Sequence, residues 1–115
     1  MTEPGEPDAV VAAVDGFFAR HEVASLRLPS RWFGRPHDNW HQLTEATSYG
    51  DEVVIRLDNV QVLTLEASRA TEDGRVLGIE IRRGTWVWTE YGGSHVHRED
   101  LEAGIVEFYA PYAPS

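Results

Sequence analysis

The sequence predicts an α+β fold, in which an N-terminal helix packs on a bent antiparallel sheet of about six strands, a meander or half-barrel. Apolar residues recur at helical spacing near the N-terminus, whereas beyond residue 22 they alternate with polar ones. Short turns separate the alternating segments, which is typical of strands that pair with their chain neighbours. The 115 residues are expected to form one domain, 1–115, with frayed tails at 1–7 and 110–115.

The helix is predicted over residues 7–22. Pro7 suits a first helical turn, and Asp8 complements the positive end of the helix dipole. The apolar stripe that should face the sheet consists of Val10, Val11, Val14, Phe17, Phe18 and His21.

Alternation predicts strands or extended segments over residues 25–28, 40–47, 52–57, 60–67, 76–82, 85–89 and 105–109. Asp58-Asn59 is expected to form a two-residue hairpin that sets Leu57 opposite Val60. That register places Leu63 and Leu65 on the face opposite Leu57. Gly84 is expected to mark a tight turn, and residues 98–103 to form one helical turn.

Composition narrows the classes of partner. The formal net charge is −9, so nucleic acids and anionic membrane surfaces are unfavourable partners. The chain contains no cysteine, which excludes disulfides and thiolate chemistry and favours a reducing compartment. The N-terminus has no basic, apolar leader, and a cytoplasmic location is therefore expected.

The segment from Trp32 to His41 is the strongest candidate for a binding loop. It is rich in arginine and aromatic residues on an acidic protein, and these side chains can hold a carboxylate or phosphate and stack on a flat ring. Alternatively, Trp32, Phe33 and Trp40 fold back and close the open end of the sheet. The expected ligand-binding residues are Arg31, Trp32, Arg35, His37, Asp38, Asn39 and His41.

Histidine spacing leaves a second hypothesis open, a small metal-dependent or His/Asp-based enzyme. His37 and His41 could share a metal ion on a helix, but Pro36 argues against a helix there. His95 and His97 share one face of a strand and would need a third ligand. We therefore expect no metal ion and no cofactor.

Trp86 and Trp88 lie on one face of a predicted strand. They are interpreted as core residues if the helix fills the bent sheet. If the helix leaves space, they line a pocket instead.

The segments Leu28-Pro29-Ser30-Arg31-Trp32-Phe33-Gly34-Arg35-Pro36-His37-Asp38-Asn39 and Trp88-Thr89-Glu90-Tyr91-Gly92 resemble small bacterial proteins of uncharacterised function, actinobacterial in type. The resemblance implies no activity or catalytic residue. The sequence thus predicts a non-catalytic module that binds a small ligand or a protein through the Trp32–His41 loop, with a homodimer as one form of partner.

Overall fold

The computed structural model describes residues 6–33, 40–89 and 95–111. The predicted α+β architecture is confirmed, but the described residues form eight strands rather than about six. The elements are α1 (Glu6–Arg20), β1 (Ser25–Leu28), β2 (Arg31–Trp32), β3 (Leu43–Tyr49), β4 (Glu52–Leu57), β5 (Gln61–Asp73), β6 (Val76–Thr89), β7 (Val96–Leu101) and β8 (Gly104–Tyr109).

Helix α1 packs on the concave face of the sheet through the predicted apolar stripe. Val10, Val14 and Phe17 are fully buried in the core, and Phe18 meets Phe108 of β8 edge to face at 5.4 Å. Each buried apolar side chain of this size stabilises the fold by about 1.5–3 kcal/mol. The helix is therefore held mainly by this stripe. No helix in the described residues is long and apolar enough to cross a membrane.

The strands form one antiparallel sheet in the order β2-β1-β8-β6-β5-β4-β3, and β7 also pairs with β6. β7 and β8 continue the same register along β6, since Leu101 pairs with Gly84 and Gly104 pairs with Ile81. They therefore behave as one long strand interrupted at residues 102–103. The helical turn predicted at 98–103 is wrong, because β6 offers this segment a full ladder of backbone partners.

A crease crosses the three central strands. Residues that face the core normally recur at every second position of a strand. In each of these strands, however, one pair of successive core-facing residues is three positions apart. A β-bulge bends its strand and increases the twist of that strand. Because these irregular positions lie side by side in adjacent strands, together they curve the sheet around the helix. The long steps are Ala67 to Ala70 in β5, Ile81 to Gly84 in β6, and Leu101 to Gly104 across the interruption.

Gly84 lies inside β6 at the crease, so the predicted tight turn there is wrong. A Cβ atom at this position would be 2.7 Å from the backbone oxygen of Thr64 and 2.9 Å from Cδ2 of Leu65. The glycine is required by close approach of β5 rather than by a turn.

On the outer side of the crease, Glu66 forms ion pairs with Arg82 and Arg83. The hydrogen bond from Arg83 lowers the pKa of the Glu66 carboxyl group below its ordinary value. The stabilisation from this pairing is therefore present above the ordinary carboxyl pKa and is lost as the pH falls through the lowered value.

The predicted register of β4 with β5 is wrong by one residue. Asp58 and Asn59 do adopt the expected positive φ values, 53° and 67°, but Val60 joins the turn, and Leu57 pairs with Gln61. The slip places Leu63 and Leu65 on the same face as Leu57, because a one-residue shift exchanges the two faces of a strand. The buried core consequently takes its residues from one face of both strands.

Replacing Gly84 by alanine is expected to destabilise the protein by about 1–3 kcal/mol, because the new methyl group has no room at the crease. Urea denaturation followed by circular dichroism measures the change. Gly78→Ala is the matched control, since its Cβ would make an ordinary 3.5 Å contact with Ile105. Equal stability of the two variants would contradict the role of the crease.

Candidate functional site

The structure separates the predicted ligand-binding residues that it describes. Arg31 forms an ion pair with Glu99 of β7. Trp32 lies on the convex face, where its ring is 4.9 Å from that of Tyr109, whereas His41 is only 2% exposed. Arg35, His37, Asp38 and Asn39 lie outside the described residues.

His41 joins the two ends of the sheet. Its backbone N–H donates to the carbonyl of Ala24 at 2.8 Å and its carbonyl accepts from Ala24 at 3.0 Å, which forms an isolated antiparallel bridge. The Nδ1 atom is 2.7 Å from Oδ2 of Asp58, and the other carboxylate oxygen of Asp58 accepts the backbone N–H of Gln42 at 2.9 Å. The imidazole is therefore fixed in orientation by a carboxylate that is itself fixed.

Phe33 is the centre of an aromatic cluster on the concave face, which we define as Phe33, His41, Trp86, Trp88 and His97. The Phe33 ring lies 4.9 Å from Trp86, 5.2 Å from Trp88 and 5.6 Å from His41. His97 stacks on Trp88 at 4.3 Å with an interplanar angle of 18°.

The cluster agrees with the fold-back of Phe33 expected from the sequence. Trp32 instead packs on the convex face, and Trp40 remains 36% exposed. Trp86 belongs to the buried core, and Trp88 is half-buried against it.

Three buried polar atoms in or beside the cluster have no hydrogen-bond partner among the described residues: Nε2 of His41, Nε1 of Trp86 and Oε1 of Gln61. Gln61 is one position along the ladder from the Val62–Val87 pair, which sets it opposite Trp88. Ser25 Oγ is a fourth unpartnered atom, but Ser25 pairs with Tyr109 and faces away from the side that carries Leu26. Buried polar atoms normally have a partner, so three at one place require an explanation.

The described parts of the chain contain no set of metal ligands that would support the metal-dependent hypothesis. Within residues 6–33, 40–89 and 95–111, no three His, Asp or Glu side chains are grouped so that they could hold one metal ion. His41 uses Nδ1 for Asp58, and His97 lies flat on Trp88. His37, which that hypothesis also names, lies outside the described residues, as does Asp38.

A hollow lies on the opposite, convex face. It is an open hollow of about 450 Å³ over Gly78, and its other lining residues come from β5, β6 and β8. Ion pairs occupy its charged walls, because Arg69 binds Glu80 and Arg27 binds Glu107. Burial, followed by the contact with Glu107, raises the pKa of the nearby Tyr109 hydroxyl. We call this feature the Gly78 hollow.

Comparison with models of protein families, with curated proteins and with solved structures found no match to this chain. The function must therefore be inferred from the site itself.

Asp58 and Gln61 are the site residues that sequence reasoning missed. Asp58 was interpreted as a turn residue, which it also is, since its φ is positive. The predicted hairpin register places Gln61, like Leu63 and Leu65, on the face opposite Leu57, and the one-residue slip moves it to the inward face. One signal in the sequence points to Gln61. It is a polar residue that shares its face of the strand with the apolar residues Leu63 and Leu65.

Asp58→Asn is expected to lower the free energy of unfolding by about 1.5–3 kcal/mol, because a charged hydrogen bond to a buried imidazole is lost. Asparagine tolerates the positive φ at this position, so the change isolates the carboxylate. Urea denaturation gives the stability, and ¹⁵N NMR of His41 reports whether the proton stays on Nδ1. Asp51→Asn, at an exposed turn, is the control; similar losses in both variants would contradict the assigned role.

Proposed function

We propose that this chain is a non-catalytic module that binds a small ligand at the aromatic cluster. The observation that carries the proposal is the set of three buried, unpartnered polar atoms on His41, Trp86 and Gln61. Leaving a buried polar group without a partner costs about 1–3 kcal/mol. A ligand that supplies the missing hydrogen bonds would recover this free energy on binding, which gives the site both affinity and orientation.

The residue types of the cluster suit a flat ligand. Small-molecule sites are lined mainly by apolar and aromatic side chains, with a few polar groups that fix orientation. Phe33 meets Trp86 at 79° and Trp88 at 67°, so the cluster presents both ring faces and ring edges. Phe33, Trp88 and His97 are only half-buried, which supports access from that side.

The charge at the rim favours an uncharged ligand. Arg31 is one of the predicted ligand-binding residues, but it pairs with Glu99, and the two charges offset each other. Asp58 likewise directs its carboxylate to His41 and to the backbone of Gln42. A free carboxylate or phosphate, the ligand class first expected from the loop, would therefore have to compete with Glu99 for Arg31.

The pairing of His41 with Asp58 favours a second candidate function, a His/Asp-based enzyme. A carboxylate that fixes Nδ1 leaves Nε2 oriented as a general base toward a bound molecule. The two candidates use the same cluster and differ in outcome. Proton NMR of a bound compound over one day distinguishes them, since a binding module returns the compound unchanged.

Screening with planar aromatic fragments tests the proposal by ¹H–¹⁵N NMR. Bound fragments are expected to shift the indole N–H resonance of Trp86 and the resonances of Gln61. Fragments that shift only residues around the Gly78 hollow, or no fragment binding at millimolar concentration, would overturn the assignment of the cluster as the site.

Gln61→Met is expected to raise the free energy of unfolding of the ligand-free protein by about 1 kcal/mol, since it removes a buried, unpartnered oxygen at nearly constant volume. The same variant should bind the fragments at least tenfold more weakly. Gln42→Met, at an exposed position, is the matched control and should change neither quantity. Unaltered fragment affinity in Gln61→Met would contradict a role for this side chain.

A further inference from the structure

An open groove lies between helix α1 and the edge strand β3. It has a volume of about 330 Å³ and is lined by Asp15, Phe18, Ala19, Glu22, Gln42 and Leu43. We propose that this α1–β3 groove binds an extended segment of a partner protein that carries arginine or lysine, and that the segment pairs with β3 as an added strand. The proposal does not depend on the aromatic cluster.

The backbone of β3 offers one unpaired side. β3 is an end strand of the sheet, and in the described part of the chain its ladder runs along β4 only. Tyr49 and Glu52 close a two-residue hairpin, so the backbone groups of Tyr49 bond to β4 and those of Ser48 and Ala46 face the open side. An unpaired strand edge is a template for a strand from another chain.

The chain already uses the open side of this segment once. The carbonyl of Gln42 accepts from Asp58 on the β4 side, so the backbone groups of His41 face the opposite side, where they pair with Ala24. Before Ala24 the chain departs into α1, which ends at Arg20, and the side of β3 beyond His41 is left to another strand. A partner segment would extend the line of pairing that Ala24 begins.

Helix α1 forms the wall of the groove along β3. The Ser48 hydroxyl donates to Asp8 near the start of the helix, whereas Phe18, near its end, lines the groove with Gln42 and Leu43. The helix therefore runs antiparallel to β3 beside the open edge. Phe18 and Leu43 are half-buried, and they give the groove an apolar floor that suits the aliphatic stem of an arginine or lysine.

The charge of the groove selects a cationic partner. Asp15 and Glu22 are exposed, and neither has an ion-pair or hydrogen-bond partner among the residues that the structure describes. Arg20, the arginine of α1, binds Glu72 of β5 instead. The other arginines that form ion pairs do so with carboxylates outside the groove, namely Glu66, Glu80, Glu99, Asp100 and Glu107. A second copy is disfavoured, because each chain has a net charge of −9 and the two grooves would bring like charges together.

A labelled peptide of alternating arginine and threonine, matched to the 7 residues of β3, tests the proposal by fluorescence anisotropy. Its affinity is expected to fall by about fivefold in the double variant Asp15→Asn, Glu22→Gln. Asp73→Asn with Glu102→Gln removes two exposed carboxylates outside the groove and is the matched control. Equal weakening in both double variants would show unspecific charge attraction and overturn the groove as the site.

Methylation of the peptide backbone tests the added strand. The side chains of Ala46 and Ser48 face the core side, so the peptide residues opposite them have side chains toward α1 and N–H groups toward β3. These are the arginines, and N-methylation of the arginines is therefore expected to abolish binding, whereas N-methylation of the threonines is tolerated. The bound peptide should also shift the amide resonances of Ala46 and Ser48 in ¹H–¹⁵N NMR.

Three results would contradict the proposal. Equal effects of the two methylations would exclude strand pairing, and no binding of the unmodified peptide at millimolar concentration would exclude the basic segment. A dimer in sedimentation velocity without peptide, with the amides of Ala46 and Ser48 protected from exchange, would make a second copy the occupant.

Discussion

The fold depends on the hydrogen-bonded ladder between β5 and β6. These strands have 13 and 14 residues, and β4, β7 and β8 all pair directly with one of them. A flat ladder of this length could not enclose a core, so the crease near Gly84 is what allows the sheet to curve around α1. The close approach of Gly84 to Thr64 is the steric requirement behind that curvature, because a side chain at position 84 would push the two strands apart.

The concave face carries one apolar core with polar side chains at one end of it. Toward the helix, the sheet meets Val10, Val14 and Phe17, and the packing is apolar. At the other end, where β4 and β6 end and β5 begins, the inward face carries Leu57 and Leu63 together with the rings of Trp86 and Trp88 and the polar side chain of Gln61. Apolar residues at both ends would give a more stable fold, since unpartnered buried polar groups lower the free energy of unfolding. The polar atoms at this end therefore reduce the stability of the fold, and they are the basis of the binding site proposed above.

Sequence periodicity could predict the helix and most of the strands, because the helical stripe and the two-residue alternation are local patterns. The crease could not be predicted, because Gly84 has the same appearance in the sequence whether it forms a turn or permits close approach of a neighbouring strand. The register of β4 with β5 depended on whether Val60 belonged to the turn or to the strand, and both choices satisfy the alternation. This single ambiguity also concealed the inward position of Gln61.

The candidate site was predicted only in part. The composition of residues 32–41 predicts a site that contains Phe33 and His41, and the alternation of the later strand places Trp86 and Trp88 on one face. Their convergence is a consequence of long-range pairing, in particular the bridge between Ala24 and His41, which joins residues 17 positions apart in the sequence. The contact of Asp58 with His41 cannot be predicted from the sequence, because an aspartate in a turn needs no further explanation. It becomes visible only in the structure, where β3 pairs with β4.

The interruption at residues 102–103 has a dynamic consequence. β8 is held on both sides, by β6 and by β1, whereas β7 is paired along one side only in the described part of the chain. Local unfolding should therefore begin at β7, and its amide protons should exchange with solvent sooner than those of β8. Because His97 lies on β7 and stacks on Trp88, such an opening would uncover the ring cluster while the helix-bearing half of the sheet stays folded.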